Sequence, residues 1–421
     1  MLRQAQHDVL VFCSRVFPLV IPMHIFVINS GSSSLKYQLF RWPQEQPLAR
    51  GLVERIGLPD GQLTHTTLRP DGQEHTVRRI LPIPDHRAGL EEAMRLLTDP
   101  ETGVLQNPED VQLVGHRAVH GGEEFREPTL VTPEVKARIR ELFPLAPLHN
   151  PANLLGMEVA EQLFPQARQV AVFDTAFHST LPPYAYRFAL PEELYTKHGL
   201  RAYGFHGTSH QFVSRETLRY LGQPDARVIT VHLGNGCSMT ATVAGRAVDT
   251  SMGFGPMNGL VMGTRAGDTD QAVIFHLVEQ LGYSLDDVKN LLNKESGMLG
   301  LTGHSDMRDI TRLLNEGDPR ARLAYDLYAY RIKKYLGSFL AVLNGAEAVV
   351  FTGGVGENDA LVRQLVCANL DFMGIRLDET ENARRAPGIR DLSAAGTRVR
   401  VLVVPTNEEL EIARLCAGID V

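Results

Sequence analysis

Two stretches of this chain follow one grammar, and together they constrain its fold more than any other feature. Residues 26–40 read FVINSGSSSLKYQLF and residues 228–243 read VITVHLGNGCSMTATV. Each is an apolar run, a polar residue, a turn of glycine, serine or asparagine, and then a second, alternating run. In the second runs, Leu35, Tyr37 and Leu39, or Met239, Ala241 and Val243, recur at the two-residue period of a strand with one buried face. The pattern predicts two β-hairpins, one opening each half of the chain, and so a duplicated domain with room for a nucleotide between the copies.

Elsewhere short apolar runs alternate with amphipathic segments, the signature of mixed α/β architecture. Strands are expected at 25–28, 111–114, 170–173, 228–233, 348–351 and 399–404. Helices are expected at 86–97, 151–163, 209–221, 271–281, 285–293, 320–343 and 408–416. Ser284 with Asp287, and Thr406 with Glu409, read as capping boxes. Along the longest helix, Leu323, Leu327, Tyr330 and Ile332 fall near helical spacing and are expected in the core.

Composition excludes several classes. With 421 residues, 43% hydrophobic and 22% charged, the chain can bury a full core. A formal charge of −7 argues against general nucleic-acid binding, so an anionic ligand must be held by local basic groups. The four cysteines form no C-x-x-C pair, which argues against a disulfide framework or zinc knuckle and fits a reducing, cytoplasmic setting. No apolar run approaches the ~20 residues of a membrane span. Residues 1–22 carry a semi-apolar segment broken by Arg15 and two prolines; it reads as a disordered tail or an upstream start codon, with Met23 the alternative start.

The chemistry sits in turns. Glycine and serine beside a strand expose backbone N–H groups that can surround phosphate oxygens. The opening stretch, HLGNG at 232–236 and GGVGEN at 353–358 are all of this kind. Each alone reads equally as a tight hairpin or a strand–helix turn; three in one chain point to phosphate. Neither a Walker A loop nor the full Rossmann pattern occurs, which leaves a phosphate site built from hairpins.

Arginine enters the same surroundings. GHRAVHGGEEF holds Arg117 and MGTRAGDTD holds Arg265. Two planar forks suit a reaction joining a carboxylate to a phosphoryl group, and the plainer alternatives are salt bridges to Glu123 and Asp268. His116/His120 and His206/His210 have the i, i+4 spacing of a helical zinc site, but nearby glycines make helical continuity doubtful for both. For His206 the better reading is an imidazole, neutral or cationic, donating to phosphate. Asp174, in VAVFDTAFH, could orient substrate, assist a metal, act as a base, or simply make an Asx turn or N-cap. The Thr406 box accounts for Glu409 and leaves Glu408 as the freer magnesium ligand.

These motifs, with APLHNP, YGFHGTSH, SMGFGPMNGLVMGTRAGDTD, DMRD and PTNEE, occur in an order that resembles the acetate kinase (acetokinase) family, of the acetate and sugar kinase, heat-shock chaperone and actin superfamily. The resemblance runs from Met23 to the end of the chain. It implies an α/β fold of duplicated ribonuclease-H-like (actin-like ATPase) domains with an interdomain active-site cleft. The division expected is 23–175 plus 406–421 against 176–405.

It also implies Mg²⁺-dependent, reversible, in-line transfer of the ATP γ-phosphoryl group to acetate, giving acetyl phosphate and ADP, in a cytoplasmic homodimer. Mn²⁺ is the alternative metal. By resemblance, Asn29 and Glu408 hold the metal, and Lys36 binds nucleotide. Arg117 and Arg265 hold carboxylate and phosphoryl group, His206 stabilises the transition state, Asp174 is the essential aspartate, and His149 and His232 flank the phosphoryl path. Nucleotide contacts fall on His232, Leu233, Gly234, Asn235 and Gly236, on Asp306, Met307 and Arg308, and on Gly354, Val355, Gly356, Glu357 and Asn358. Val119, Leu148, Phe205 and Pro256 form the acyl pocket, with Val119 favouring acetate over propionate by only ~1–3 kcal/mol per methylene. The competing expectations are a propionate or butyrate kinase of the same fold, and a non-catalytic, ATP-switched binding or filament protein.

Overall fold

The computed structural model describes residues 22–69 and 71–419. The expected N-terminal extension, apart from Pro22, lies outside the described residues.

The first hairpin is β1 (Met23–Ser30) and β2 (Ser34–Trp42), closed by a bond from the Gly31 N–H to the Ser34 carbonyl at 2.8 Å. It continues into β3 (Pro47–Glu54), β4 (Gly61–Leu68) and β5 (Glu74–Leu81). The chain then crosses over through the helix His86–Leu97, so β6 (Val111–Ala118) returns parallel to β1. After β7 (Thr129–Leu130), β8 (Arg168–Phe173) adds parallel to β6. The sheet order is β5-β4-β3-β2-β1-β6-β8-β7.

The second hairpin is β9 (Arg227–Leu233) and β10 (Cys237–Val243), followed by β11 (Arg246–Thr250). Then β12 (Ala348–Thr352) pairs parallel to β9 and β14 (Arg400–Val403) parallel to β12, with β13 (Arg390–Asp391) at the edge. That sheet runs β11-β10-β9-β12-β14-β13. The orders β3-β2-β1-β6-β8 and β11-β10-β9-β12-β14 match in sequence and polarity: two antiparallel pairings, then two parallel ones. The duplication read from the two hairpins is therefore a duplication of whole sheets.

The copies meet through two helices, Gly207–Leu221 and Glu408–Ala417, which pack on each other and on strands of both sheets. Ile25, Val27 and Val170 from the first sheet share one buried cluster with Val228, Val350 and Leu402 from the second, joined by Phe212, Val213, Leu410 and Ile412 from the helices. The long helix Pro319–Leu343 covers the other face of the second sheet, and His86–Leu97 that of the first.

Three local expectations change. The helix expected over 285–293 is α-helical only over Leu285–Asn290 and passes into a π-helical turn, Leu291–Glu295. Its Ser284–Asp287 capping box is present as read. The Thr406–Glu409 box is not: the cap is Asn407, whose side chain accepts the Leu410 N–H at 3.0 Å. The helix starts at Glu408, so Thr406 falls outside it and Glu409 is released to a different partner.

The stripe on Pro319–Leu343 is also displaced. Leu323 and Tyr330 are exposed and Leu327 is only partly buried against the core, while Ile332 is buried as expected, on a face with Ala321, Tyr325, Tyr328, Leu336, Phe339 and Leu343. Those seven buried residues recur at four-, three- and four-residue steps, and three of them are an alanine and two tyrosines, so a search for leucines alone selects the wrong side.

Candidate active site

Because β1, β6 and β8 are parallel neighbours, their carboxyl ends lie side by side, where ligands of open α/β sheets bind. Asn29, Arg117 and Asp174 stand there. Arg117 donates through Nε to Asp174 Oδ1 at 3.1 Å and through Nη2 to Oδ2 at 2.5 Å, and through Nη1 to Asn29 Oδ1 at 3.2 Å. Asp174 is buried and accepts a third bond from Thr208 Oγ1 at 2.8 Å. Its carboxylate is thus occupied by Arg117 and Thr208 and caps no helix. Glu123, the alternative partner for Arg117, instead takes Arg201 at 2.5 Å.

Carboxylates crowd this end. Glu408 Oε2 lies 3.7 Å from Arg117 Nε, and Glu409, almost fully buried, pairs with Lys36 Nζ at 2.8 Å. The Lys36 pairing is where the supposed capping residue goes. Burial pushes the Glu408 carboxyl up to about 7, with Asp174 and Glu409 adding to the rise and Arg117 and Lys36 opposing it. A carboxyl raised by burial and by like charge is short of positive charge. Together with the Asn29 amide oxygen it offers two hard oxygen donors, which fits Mg²⁺, an ion that keeps several waters and takes its remaining ligands from phosphate.

The second half contributes from the start of the helix Gly207–Leu221. Gly207 donates its N–H to the Asp174 carbonyl at 3.1 Å, and a Cβ at this position would lie 2.0 Å from that oxygen. Only glycine allows so close an approach, and His206 before it is held at φ 57°, ψ 28°. His206 Nδ1 meets Ser238 Oγ at 2.9 Å, and its ring stacks on His232 with centroids 4.6 Å apart. A Cβ built on Gly236 would lie 3.2 Å from His206 Nε2 and 3.7 Å from Arg265 Nη1, so the HLGNG turn, His206 and Arg265 converge. His206 and His210 share Ser238, which explains their spacing without a metal. His116 lies on β6, not on a helix.

Arg265 donates to the Pro256 carbonyl at 2.8 Å, and among the described residues no carboxylate lies within ion-pair distance of it. Asp268, its alternative partner, instead accepts from Tyr335 at 2.7 Å. Burial without a counter-charge pushes the Arg265 guanidinium below its ordinary value. His149 is lowered by burial and then by the positive charges of Arg117 and Arg265 together, so both arginines act on the space that it occupies.

Beyond HLGNG lies a cavity of about 1000 Å³. Nine of the expected nucleotide contacts line it: Gly234, Asn235, Asp306, Met307, Arg308, Gly354, Val355, Glu357 and Asn358. GGVGEN here is a short helix, Gly353–Asn358, following β12, and not a hairpin. Leu233 and Gly356 are buried beneath the cavity, Gly236 and His232 stand on the His206 side, and Lys36 belongs to the first sheet. In the expected acyl pocket, Val119 and Phe205 are buried, whereas Leu148 is 63% exposed.

Sequence reading missed several partners. Thr208 and Ser238 lie within quoted motifs but gave no sign of bonding Asp174 and His206. Thr311, Arg363, Asn382 and Arg390 line the cavity from segments without a motif, and no local signal pointed to them.

Compared with known proteins, the sequence model of the acetokinase family matches residues 24–414. A protein named acetate kinase from Flavobacterium johnsoniae is 51% identical over 391 residues, covering 93% of this chain and 98% of its own. The crystal structure of Porphyromonas gingivalis acetate kinase superposes with a TM-score of 0.87 at 44% identity, over 94% of this chain and 99% of that one. A propionate kinase from Francisella tularensis gives the same TM-score at 38% identity, over 94% and 100%.

Proposed function

The chain belongs to the acetokinase family, and from that premise we propose that it is an acetate kinase, transferring the γ-phosphoryl group of ATP to acetate and the reverse. The observation that carries the reading is Arg265: a half-buried guanidinium with no carboxylate partner among the described residues, beside His206 and the glycine turn. Such a group is completed by an anionic substrate.

The roles follow from the contacts. The cavity between HLGNG and GGVGEN takes the nucleotide, with its phosphates directed along Gly236 toward His206. Acetate is already an anion, so no base is needed; the difficulty is repulsion between two anions. Arg265 and Arg117 offset that repulsion, and His206 meets the phosphoryl oxygens from the opposite wall. Asp174 holds Arg117 in a two-point grip and fastens the Gly207 helix through its own carbonyl, which supports an orienting role over proton abstraction. Asn29 and Glu408 would hold Mg²⁺, which when bound neutralises charge on the phosphate oxygens. Val119 and Phe205 would receive the methyl group, with Pro256 beside Arg265 and Leu148 at the exposed rim. Transfer is direct and in line.

A division at 23–175 plus 406–421 against 176–405 is supported by the matched sheets, one on each side of the packed helix pair. A homodimer is supported by the helix Gln271–Glu279, whose sequence QAVIFHLVE is largely apolar although none of its residues is buried. Phe275, Leu281, Leu285, Leu323 and Tyr330 are likewise exposed. Replacing Phe275 by Glu is expected to yield monomers in light scattering; an unchanged dimer, or a monomeric parent, would count against this face.

Purified protein mixed with ATP, Mg²⁺ and acetate is expected to form acetyl phosphate, trapped as the hydroxamate. Failure in a preparation that is folded and binds ATP would overturn the assignment. The similarity to a propionate kinase supports one second reading, a preference for the longer acid, which kcat/KM values across acetate, propionate and butyrate decide.

A further inference from the structure

His206 presents its Nε2–Cε1 edge to the Gly236 turn, both atoms 3.2 Å from a Cβ built there, and of the two only Nε2 can hydrogen-bond a phosphoryl oxygen. A neutral imidazole has one donor nitrogen and one acceptor, so what Nε2 offers depends on what Nδ1 is doing. The ring is kept neutral by burial first, and then by His232, His210, Arg117 and Arg265 around it. The question is therefore which nitrogen carries the single proton.

The answer lies three residues away. His206 Nδ1 meets Ser238 Oγ at 2.9 Å, Ser238 Oγ meets His210 Nε2 at 2.6 Å, and His210 Nδ1 meets Thr230 Oγ1 at 2.7 Å. Ser238, His210 and Thr230 are fully buried. Each hydroxyl has one proton to give. Thr230 Oγ1 is also within hydrogen-bond distance of the Thr240 carbonyl, at 3.3 Å, but its contact to His210 Nδ1 is the shorter at 2.7 Å, and the single proton is assigned to that shorter contact. That choice sets the rest. With Nδ1 accepting, His210 carries its proton on Nε2 and gives it to Ser238. Ser238 then donates its own proton to His206 Nδ1, and the His206 proton is left on Nε2.

We propose that Thr230, His210 and Ser238 form a one-way hydrogen-bond chain that fixes His206 as the Nε2–H tautomer, so that a neutral ring presents a donor to the transferring phosphoryl group. They are positioning residues, acting through His206. This deepens the acetate kinase reading and rests on it for the identity of the acceptor. It also explains how a ring held neutral can stabilise negative charge: it needs no proton uptake when the substrate arrives.

Long-range ¹H–¹⁵N correlation spectra of the ¹⁵N-histidine-labelled full chain, with His206→Gln used for assignment, test the tautomer directly. The wild type is expected to show a bare Nδ1 and a protonated Nε2 on His206; a protonated Nδ1 would overturn the proposal. Thr230→Val keeps the shape and removes the anchoring proton. It is expected to mix the His206 tautomers and lower kcat roughly tenfold with both KM values little changed, while Thr230→Ser restores both. A Thr230→Val enzyme with an unaltered His206 tautomer would also refute the chain. Should Thr230→Val not fold, the wild-type spectrum still decides. If the wild type shows the tautomer but makes no acetyl phosphate, the functional reading fails and the chain stands.

Discussion

Arg265 and Arg117 are both arginines in glycine-rich turns, yet they are held differently. Arg117 is gripped by Asp174 and bonded to Asn29, whereas among the described residues Arg265 has only the Pro256 carbonyl and the Met262 sulfur. The second arrangement leaves most of the fork for a substrate. Arg265→Lys keeps the charge and loses the fork, so kcat is expected to fall at least about tenfold with little change in ATP affinity. Steady-state kinetics check this, and an unchanged kcat would contradict the role. The arginines that converge on the candidate site were legible in the sequence, because a charged side chain among glycines has few structural reasons to be there. Their partners were not. Thr208 lies 34 residues from Asp174 and Ser238 lies 32 from His206, and a hydroxyl at that separation is indistinguishable from any buried serine or threonine. Glu409 shows the opposite error: a local pattern assigned it to a helix cap, and a lysine on the first hairpin claims it.

The two hairpins carry the fold because period-two alternation survives in any sequence that buries one face of a sheet. Helices were less faithfully read. The sequence shows two apolar stripes on Pro319–Leu343, and which of them is buried depends on the sheet beneath, which no local window contains. A smaller misfit lies in the turn from β10 to β11, where Ala244 sits at φ 51° before Gly245 at φ 74°. A two-residue hairpin with both dihedrals positive favours Asn-Gly, and alanine there bears ~1–2 kcal/mol of strain. Ala244→Asn is therefore expected to stabilise the protein by about 1 kcal/mol, read as a higher midpoint in urea, with kinetics unchanged. Ala244 is exposed, so no packing is disturbed. A lower midpoint would mean that the turn is held by something other than its own dihedrals.

Across the whole molecule, the two sheets are joined by a helix pair that is apolar toward the sheets and ionic along its seam. Arg215 of one helix meets Glu411 of the other at 3.1 Å, and Arg414 reaches Glu216 and Glu45, each at 2.7 Å. No local pattern foretells this seam, since the partners lie almost 200 or more residues apart. Glu411 is the costly member. It is fully buried, and burial lifts its carboxyl to about 6, with Glu216 adding to the rise and Arg215, Arg414 and Arg219 opposing it. The folded state thus holds this proton more tightly than the unfolded chain, whose carboxyl keeps its ordinary value of 4.5. Between those values unfolding releases a proton, so stability falls as pH rises through the window, and the loss is complete above it. A difference from 4.5 to about 6 corresponds to about 2 kcal/mol at neutral pH. Glu411→Gln removes that titration while keeping the shape. Its unfolding free energy relative to the wild type is expected to improve by about 1 kcal/mol between pH 5 and pH 7.5, whatever the lost attraction to Arg215 does to the offset. Urea melts of both proteins at the two pH values measure the difference, and a gap independent of pH would show that Glu411 is as well satisfied ionised as it is protonated.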